Sequence, residues 1–343
     1  MPKIRVLIVD DSAIARKALK EILEKDHSIE VVGAAPDPFI ARDKILELKP
    51  NVVTLDVEMP RMDGVTFLHK LMKHYPLPVV MVSSLTQKGA ETTMAAMDAG
   101  ALEIVAKPVL EKHDFQPLAH ELLDKVKAAA RARMKPPPSP EELEKRRKPL
   151  TAMVATTNKI VAIGASTGGT EALKDILMKM PPNCPGILVV QHMPEMFTTA
   201  FAKRLDDLCE IGVKEAADGD SVVNGKCLIA PGNRHMVLRR SGSRYFVEIK
   251  EGPPVNRHRP SVEVLFNSVA RTAGKNAVGV ILTGMGSDGA QGMLNMKTEG
   301  AKTLAQDEDS CVVFGMPKEA IKLGAVDRVV SLNLMAESII NAL

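Results

Sequence analysis

Short apolar runs alternate with segments of helical length along most of the chain. Residues 4–9 (IRVLIV), 52–55 (VVTL), 79–82 (VVMV) and 102–106 (LEIVA) are β-rich and almost unbroken in hydrophobicity, as strands covered on both faces must be. The stretches between them space their apolar residues as helices do. From Ile14 to Leu23, the residues Ile14, Ala15, Ala18, Leu19, Ile22 and Leu23 predict one buried stripe, with Ser12 as its N-cap. Such alternation predicts a parallel sheet with helices on both sides. A second set begins at Lys159, with runs at 160–163 (IVAI), 187–191 (ILVVQ), 227–230 (CLIA), 278–283 (VGVILT), 302–305 (KTLA) and 328–332 (RVVSL). Within it, MVLRR, Ser241-Gly242-Ser243 and YFVEIK over 236–250 predict a β-hairpin.

Between the two sets the chain becomes charged and rich in proline. Pro136-Pro137-Pro138-Ser139-Pro140 leads into a Glu/Lys/Arg run that ends at Pro149, and three consecutive prolines continue neither a helix nor a sheet. The expected division is a first domain at 1–125, a charged, proline-containing linker at 126–157 and a second domain at 158–343. Residues 141–148 fit a single exposed helix equally well. A chain of 343 residues is also longer than one hydrophobic core usually supports.

Composition narrows the function classes. Aromatic residues make up 3% of the chain, with no Trp and 19 Met, so the cores must be aliphatic and base stacking has little to work with. Residues 131–148 hold seven Lys/Arg against three Glu, which exceeds the whole chain's net +3 and leaves the remainder slightly acidic. That balance speaks against a nucleic-acid partner. The four cysteines, Cys184, Cys209, Cys227 and Cys311, form no C-x-x-C pair, so no zinc site is expected. Neither a signal-peptide core after Met1 nor an apolar run near 18 residues is found. The expectation is a cytoplasmic protein with free thiols and no direct membrane insertion.

The first chemical constellation lies at strand ends. Asp10 and Asp11 follow the first strand, Asp56 ends the run at 52–55, Ser83 follows 79–82 and Lys107 follows the last run. In a parallel sheet these positions gather at the carboxyl edge, where doubly wound folds bind ligands. Carboxylates grouped there repel unless a hard cation such as Mg²⁺ joins them, and a neighbouring Lys suits an added phosphoryl group. The strings V-D-D-S at 9–12, T-L-D-V-E-M-P-R-M-D-G at 54–64 and A-K-P at 106–108 resemble the response-regulator receiver family over about residues 3–125. The resemblance implies a flavodoxin-like domain in which Asp56 accepts a phosphoryl group from a histidine kinase. It further implies Mg²⁺ held by Asp10, Asp11, Asp56 and the Glu58 carbonyl, with Ser83 and Lys107 contacting the phosphoryl oxygens. Ile104 stands where many receivers carry a switching aromatic.

The second constellation is Gly164-Ala165-Ser166-Thr167-Gly168-Gly169, between an apolar strand and a segment of helical character. The string fits G-x-S-x-G, which places a serine at a sharp turn beside the N–H groups of a helix start. As a dinucleotide fingerprint it fails at Ser166, where a second glycine belongs, and the next strand ends in Gln191-His192 rather than an acid. A nucleophilic serine needs a base, and His192, His235 and His258 all occupy loops. His192 is favoured because it ends the strand next in order after the serine strand. Asp288, just after the run at 278–283, is the favoured orienting acid, ahead of Asp307 and Asp309. The order Ser, His, Asp differs from that of α/β-hydrolases.

The strings G-A-S-T-G-G at 164–169, Q-H-M-P at 191–194, A-P-G-N-R-H at 230–235, R-H-R-P-S-V at 257–262 and T-G-M-G-S-D-G-A at 283–290 resemble the chemotaxis protein-glutamate methylesterase family over about residues 159–343. The fold class expected for the whole is α/β, two doubly wound parallel-sheet domains: the receiver and a C-terminal Rossmann-like hydrolase domain with a β-hairpin. The resemblance implies Ser166 as nucleophile, His192 as base and Asp288 as its partner, with Thr167 and Met285 at the oxyanion site. It implies hydrolysis of glutamate γ-methyl esters on chemoreceptor cytoplasmic domains, activated by phosphorylation, and in many members deamidation of receptor glutamines. It implies no cofactor for the esterase chemistry. Competing expectations are a receiver joined to a mere binding module and a nucleotide-dependent enzyme.

Overall fold

The computed structural model describes residues 2–59, 61–84, 86–107, 116–134, 150 and 159–343. The chain divides into two compact units, Met1–Pro136 and Pro137–Leu343.

The first unit is a five-stranded sheet in the order β2-β1-β3-β4-β5, parallel throughout. Its strands are β1 (Ile4–Val9), β2 (Ile29–Ala35), β3 (Val52–Asp56), β4 (Val79–Ser83) and β5 (Glu103–Ala106). Helices α1 (Ala13–Leu23), α2 (Pro38–Leu48), α3 (Gly64–His74), α4 (Gln87–Asp98) and α5 (Gln116–Ala130) connect or follow them. Val6, Ile8, Val52, Val80, Val82 and Val105 pack against Leu19, Ile22, Leu23, Leu122 and Val126 in one buried cluster. Ser12 caps α1 by accepting from Ala15 N.

Three expectations change here. Ile14 is 63% exposed: the buried positions Ala15, Leu19, Ile22 and Leu23 define the face, and Ile14 lies one residue, about 100°, off its leading edge. Strand β2 has no run among those read from the pattern, because Ile29–Ala35 (IEVVGAA) is an edge strand with half-exposed positions and a register shift opposite Val6 and Leu7. The domain end expected at 125 and the linker start at 126 are also corrected. Helix α5 runs to Ala130, with Val126, Ala128 and Ala129 buried, so those residues belong to the first core. Pro136 to Pro149, and with them the alternative helix at 141–148, lie outside the described residues, as does Pro108.

The second unit is a seven-stranded sheet in the order β14-β13-β12-β6-β7-β9-β8, again all parallel. It comprises β6 (Ile160–Ala165), β7 (Gly186–Gln191), β8 (Gly212–Glu215), β9 (Lys226–Ile229), β12 (Ala277–Ile281), β13 (Lys302–Gln306) and β14 (Arg328–Val330). The hairpin β10 (His235–Ser241) and β11 (Arg244–Lys250) stands apart as an antiparallel pair. The helices are α6 (Gly169–Leu177), α7 (Phe197–Asp206), α8 (Val262–Ala273), α9 (Ala290–Thr298), α10 (Met316–Lys322) and α11 (Leu332–Asn341). Strand β8, a four-residue edge with one buried residue, is too short for its pattern to be read. The chain builds outward from β6 first through β7 and later through β12, so strand order reverses at β6. Their carboxyl ends open on the crevice where such sheets bind ligands.

Among the described residues no helix is long and apolar enough to cross a membrane, and none of the four cysteines forms a disulfide. Burial pushes Cys184 to about 11 and Cys209 to about 12, far from reactive thiolates.

Candidate active site and acidic pocket

Ser166 is the first residue beyond β6, and its N–H donates to Thr283 O at 3.0 Å, which ties the turn to the segment after β12. Gly168 closes the turn at φ 77 as the cap of α6, a left-handed conformation suited to glycine. The strand leading in is equally constrained, since a Cβ on Gly164 would lie 2.2 Å from Val262 Cγ1. Ser166 is 8% exposed, just past the carboxyl end of β6.

Strands β6 and β7 pair in register to Ala165 and Gln191, so the residues that follow, Ser166 and His192, emerge side by side. His192 Nε2 meets Asp288 Oδ2 at 2.8 Å. Its other ring nitrogen, Nδ1, is buried with no hydrogen-bond partner among the described residues. The His258 ring stacks on the His192 ring, with centroids 3.7 Å apart and planes 12° from parallel.

Asp288 is held by donors alone. Besides His192, its Oδ2 accepts from Val262 N at 2.7 Å, and Oδ1 accepts from Asn256 Nδ2 (2.9 Å), Ser261 Oγ (2.8 Å) and Glu263 N (3.3 Å). Val262 and Glu263 open α8, so the carboxylate also receives the positive end of a helix. Burial opposes its charge, but the hydrogen bonds and charge of His192, with Asn256 and Ser261, outweigh that and hold the carboxyl well below the ordinary range. The Asn256–Arg257 turn is tight, with φ 51 and 71 and reciprocal bonds between Val255 and His258 at 2.9 and 3.0 Å. That turn directs Asn256 to Asp288 and His258 to His192.

The remaining candidates lie elsewhere. His235 Nε2 bonds Pro253 O at 3.0 Å, and Asp307 accepts from Ser310 N at 3.0 Å. Asp309 is exposed. Thr167 is buried and its carbonyl accepts from Thr283 Oγ1 at 2.9 Å, while Met285 is half-buried directly after Gly284. A Cβ on Gly284 would lie 2.7 Å from Ser166 Cβ, so that glycine lets the segment after β12 close on the serine.

In the first unit, one carboxylate oxygen from each of Asp10, Asp11 and Asp56 lies within 4.8 Å of the others. Asp10 and Asp56 are buried, and Lys107 Nζ reaches both, at 3.0 and 2.7 Å. The Asp10 contact is an ion pair without hydrogen-bond geometry, so Asp10 Oδ2 remains a buried acceptor with no hydrogen bond. Burial pushes Asp56 up to about 6 despite Lys107 and the Glu58 N–H. Burial also works to discharge Lys107, but Asp56 and Asp10 outweigh it and raise its pKa above the ordinary lysine value. Ser83 is buried at the same edge, and its carbonyl accepts from Lys107 N at 2.7 Å. An acidic trio in which the buried Asp10 Oδ2 has the Lys107 ion pair but accepts no hydrogen bond fits a hard divalent cation with oxygen ligands.

Residues 161–339 match the model of the CheB methylesterase family, and residues 6–116 match that of the response regulator receiver domain. A protein-glutamate methylesterase/protein-glutamine glutaminase of Syntrophus aciditrophicus (strain SB) is 60% identical over 341 residues, 99% of each chain. Another, from Geobacter metallireducens, is 55% identical over 351 residues, again 99% of each. The chain belongs to the CheB methylesterase family. The crystal structure of the Thermotoga maritima CheB methylesterase catalytic domain, 41% identical, covers 54% of this chain and 98% of that one with a TM-score of 0.53.

The sequence reading of this CheB-family chain gave no role to Asn256, Ser261 or Gln191. Asn256 and Ser261 bond the Asp288 carboxylate, and the Gln191 side chain bonds the Ser166 and His192 carbonyls. Their types are common in loops and strand ends; Gln191 and Ser261 lie within the family strings, and Asn256 stands just before the one at 257–262.

Proposed function

We propose that this chain hydrolyses glutamate γ-methyl esters on chemoreceptor cytoplasmic domains and deamidates receptor glutamines, using Ser166, His192 and Asp288. The names of its full-length relatives support the reaction class. The observation that carries the residue roles is the 2.8 Å contact between His192 Nε2 and Asp288. An ionised Asp288 accepts the Nε2 proton, so the neutral ring keeps a lone pair on Nδ1, the nitrogen without a partner.

In this reading Ser166 Oγ attacks the γ-carbonyl carbon as His192 Nδ1 takes its proton, and the carbonyl π pair moves onto oxygen. N–H groups at the start of α6 and in the Met285 segment stabilise that oxyanion. Collapse breaks the bond to the leaving group, which takes the proton from His192 and departs as methanol or ammonia. Water then adds to the acyl-enzyme with His192 again as base, and the departing Ser166 recovers the proton. Asp288 stabilises the imidazolium formed in both halves.

Asp56 is the proposed phosphoryl acceptor from a chemotaxis histidine kinase, and its phosphorylation activates the esterase. Asp10, Asp11, Asp56 and the Glu58 carbonyl would hold Mg²⁺, which when bound offsets charge on the phosphoryl oxygens. Lys107 and Ser83 would contact the transferred group. The test is methanol release from methyl-labelled receptor by wild type and Ser166→Ala. Wild-type release that is lost in Ser166→Ala supports the reading, and equal release by both overturns it.

A further inference from the structure

Strands β6 and β7 end together, and the last bond that joins them, His192 N to Ala165 O at 3.1 Å, lies just before the catalytic edge. Beyond it no strand pairing holds Ser166 and His192 at a set spacing. The Gln191 side chain takes over that task. Its single amide nitrogen donates to Ser166 O at 3.0 Å and to His192 O at 3.3 Å, and an NH₂ group has one hydrogen for each.

Three observations separate this from ordinary core filling. Gln191 is 2% exposed at the end of an otherwise apolar strand, and burying an amide is costly unless its bonds are made. Its Oε1 has no hydrogen-bond partner among the described residues, so the burden is only half relieved. The helix start also makes room for it, since a Cβ on Gly169 would lie 2.2 Å from that Oε1. A second strand-end glutamine braces the other side of the nucleophile. Gln306, ending β13, accepts from Thr283 N at 2.9 Å, and Thr283 O accepts from Ser166 N.

We infer that Gln191 is a positioning residue for the hydrolysis, tying the backbone of the nucleophile to that of the base. The inference rests on the reading of Ser166 and His192 given above. An apolar side chain of equal length would fill the space and leave the two carbonyls unlinked. Displacement of the attacking pair by about 1 Å lowers turnover up to 100-fold while leaving substrate contacts in place.

The test compares full-length wild type, Gln191→Met and Gln191→Asn for kcat and KM on methylated receptor, with the rate constant and affinity of Ser166 labelling by a serine-directed phosphonate. Met keeps the length without the donor; Asn keeps the amide one methylene too short. Both variants are expected to lose about 10- to 100-fold in kcat and in the labelling rate constant, with KM and phosphonate affinity within about twofold. A kcat within about twofold of wild type in a folded variant overturns the inference, as does a loss confined to KM. Should Gln191→Met not fold, Gln191→Asn is judged by the same criteria. Ser166→Ala is the control: if it still turns over substrate, the site reading has failed rather than the role of Gln191.

Discussion

Replacing Asp288 by asparagine removes one charge and turns one acceptor into a donor, and the structure indicates which oxygen site the new NH₂ will take. At the Oδ2 site it would meet the Val262 N–H, fixed at 2.7 Å by the start of α8. At the Oδ1 site two of three neighbours adapt: the Asn256 amide can turn over and the Ser261 hydroxyl can rotate, leaving only the Glu263 N–H, the longest contact at 3.3 Å. The new amide therefore keeps its carbonyl toward His192, and the ring retains the tautomer with Nδ1 free to accept. What disappears is the negative charge beside the imidazolium. We expect Asp288→Asn to lower kcat by about 10²–10³, or about 3–4 kcal/mol of transition-state stabilisation. This is less than the roughly 10⁴ that follows when the same change traps the wrong tautomer in other triads. Unfolding stability should fall by about 1–3 kcal/mol, from the one donor left facing a donor. The assay is methanol release from labelled receptor at saturating substrate, with thermal unfolding alongside. A loss under about tenfold would show that the carboxylate charge is not used in the rate-limiting step, and one matching His192→Ala would show that the amide turned the other way. Either result would refute the reasoning.

Asp56→Asn should abolish phosphate incorporation from a small phosphodonor with Mg²⁺, measured by acid-labile phosphate. The same change should stabilise the Mg²⁺-free first unit at pH 7–8. Asp56 titrates at about 6 in the fold against an ordinary 3.8, so the folded state binds the extra proton and loses stability as pH rises from about 4 to 6. The gain is at most about 3 kcal/mol and should vanish below about pH 4; a gain unchanged at pH 3 would contradict this linkage. Asn256→Ala, which removes one of five bonds to Asp288 and leaves the His192 contact, should reduce kcat by about tenfold, and unaltered kinetics would show the bond to be idle. Residues 159–343 alone should retain esterase activity, because that unit carries its own core and all three triad candidates; a folded but inactive fragment would show that the first unit completes the site.

Much of the architecture was legible because parallel strands buried on both faces must be apolar almost without interruption. That pattern appears at β1, β3, β4, β6, β7, β12 and β13 wherever the chain is cut. It fails at β2 and β8, edge strands exposed along much of their length, whose place is set by pairing rather than by their own composition. The candidate site residues stood out for a related reason. Asp10, Asp56, Ser166 and His192 each stand at or just past the end of a readable strand, and a parallel sheet brings all such ends to one edge. Tertiary structure alone decided the rest. His192 meets Asp288 across 96 positions of sequence, while His235, the less favoured histidine of the sequence pattern, turns to Pro253 O. Ile14 and Ala15 are adjacent apolar residues, yet only Ala15 faces the sheet. Asn256, Ser261 and Gln191 acquire their roles solely from what the fold sets opposite them. Hydrophobic periodicity is a local property of the chain, whereas a hydrogen bond between distant side chains exists only once packing has fixed both ends.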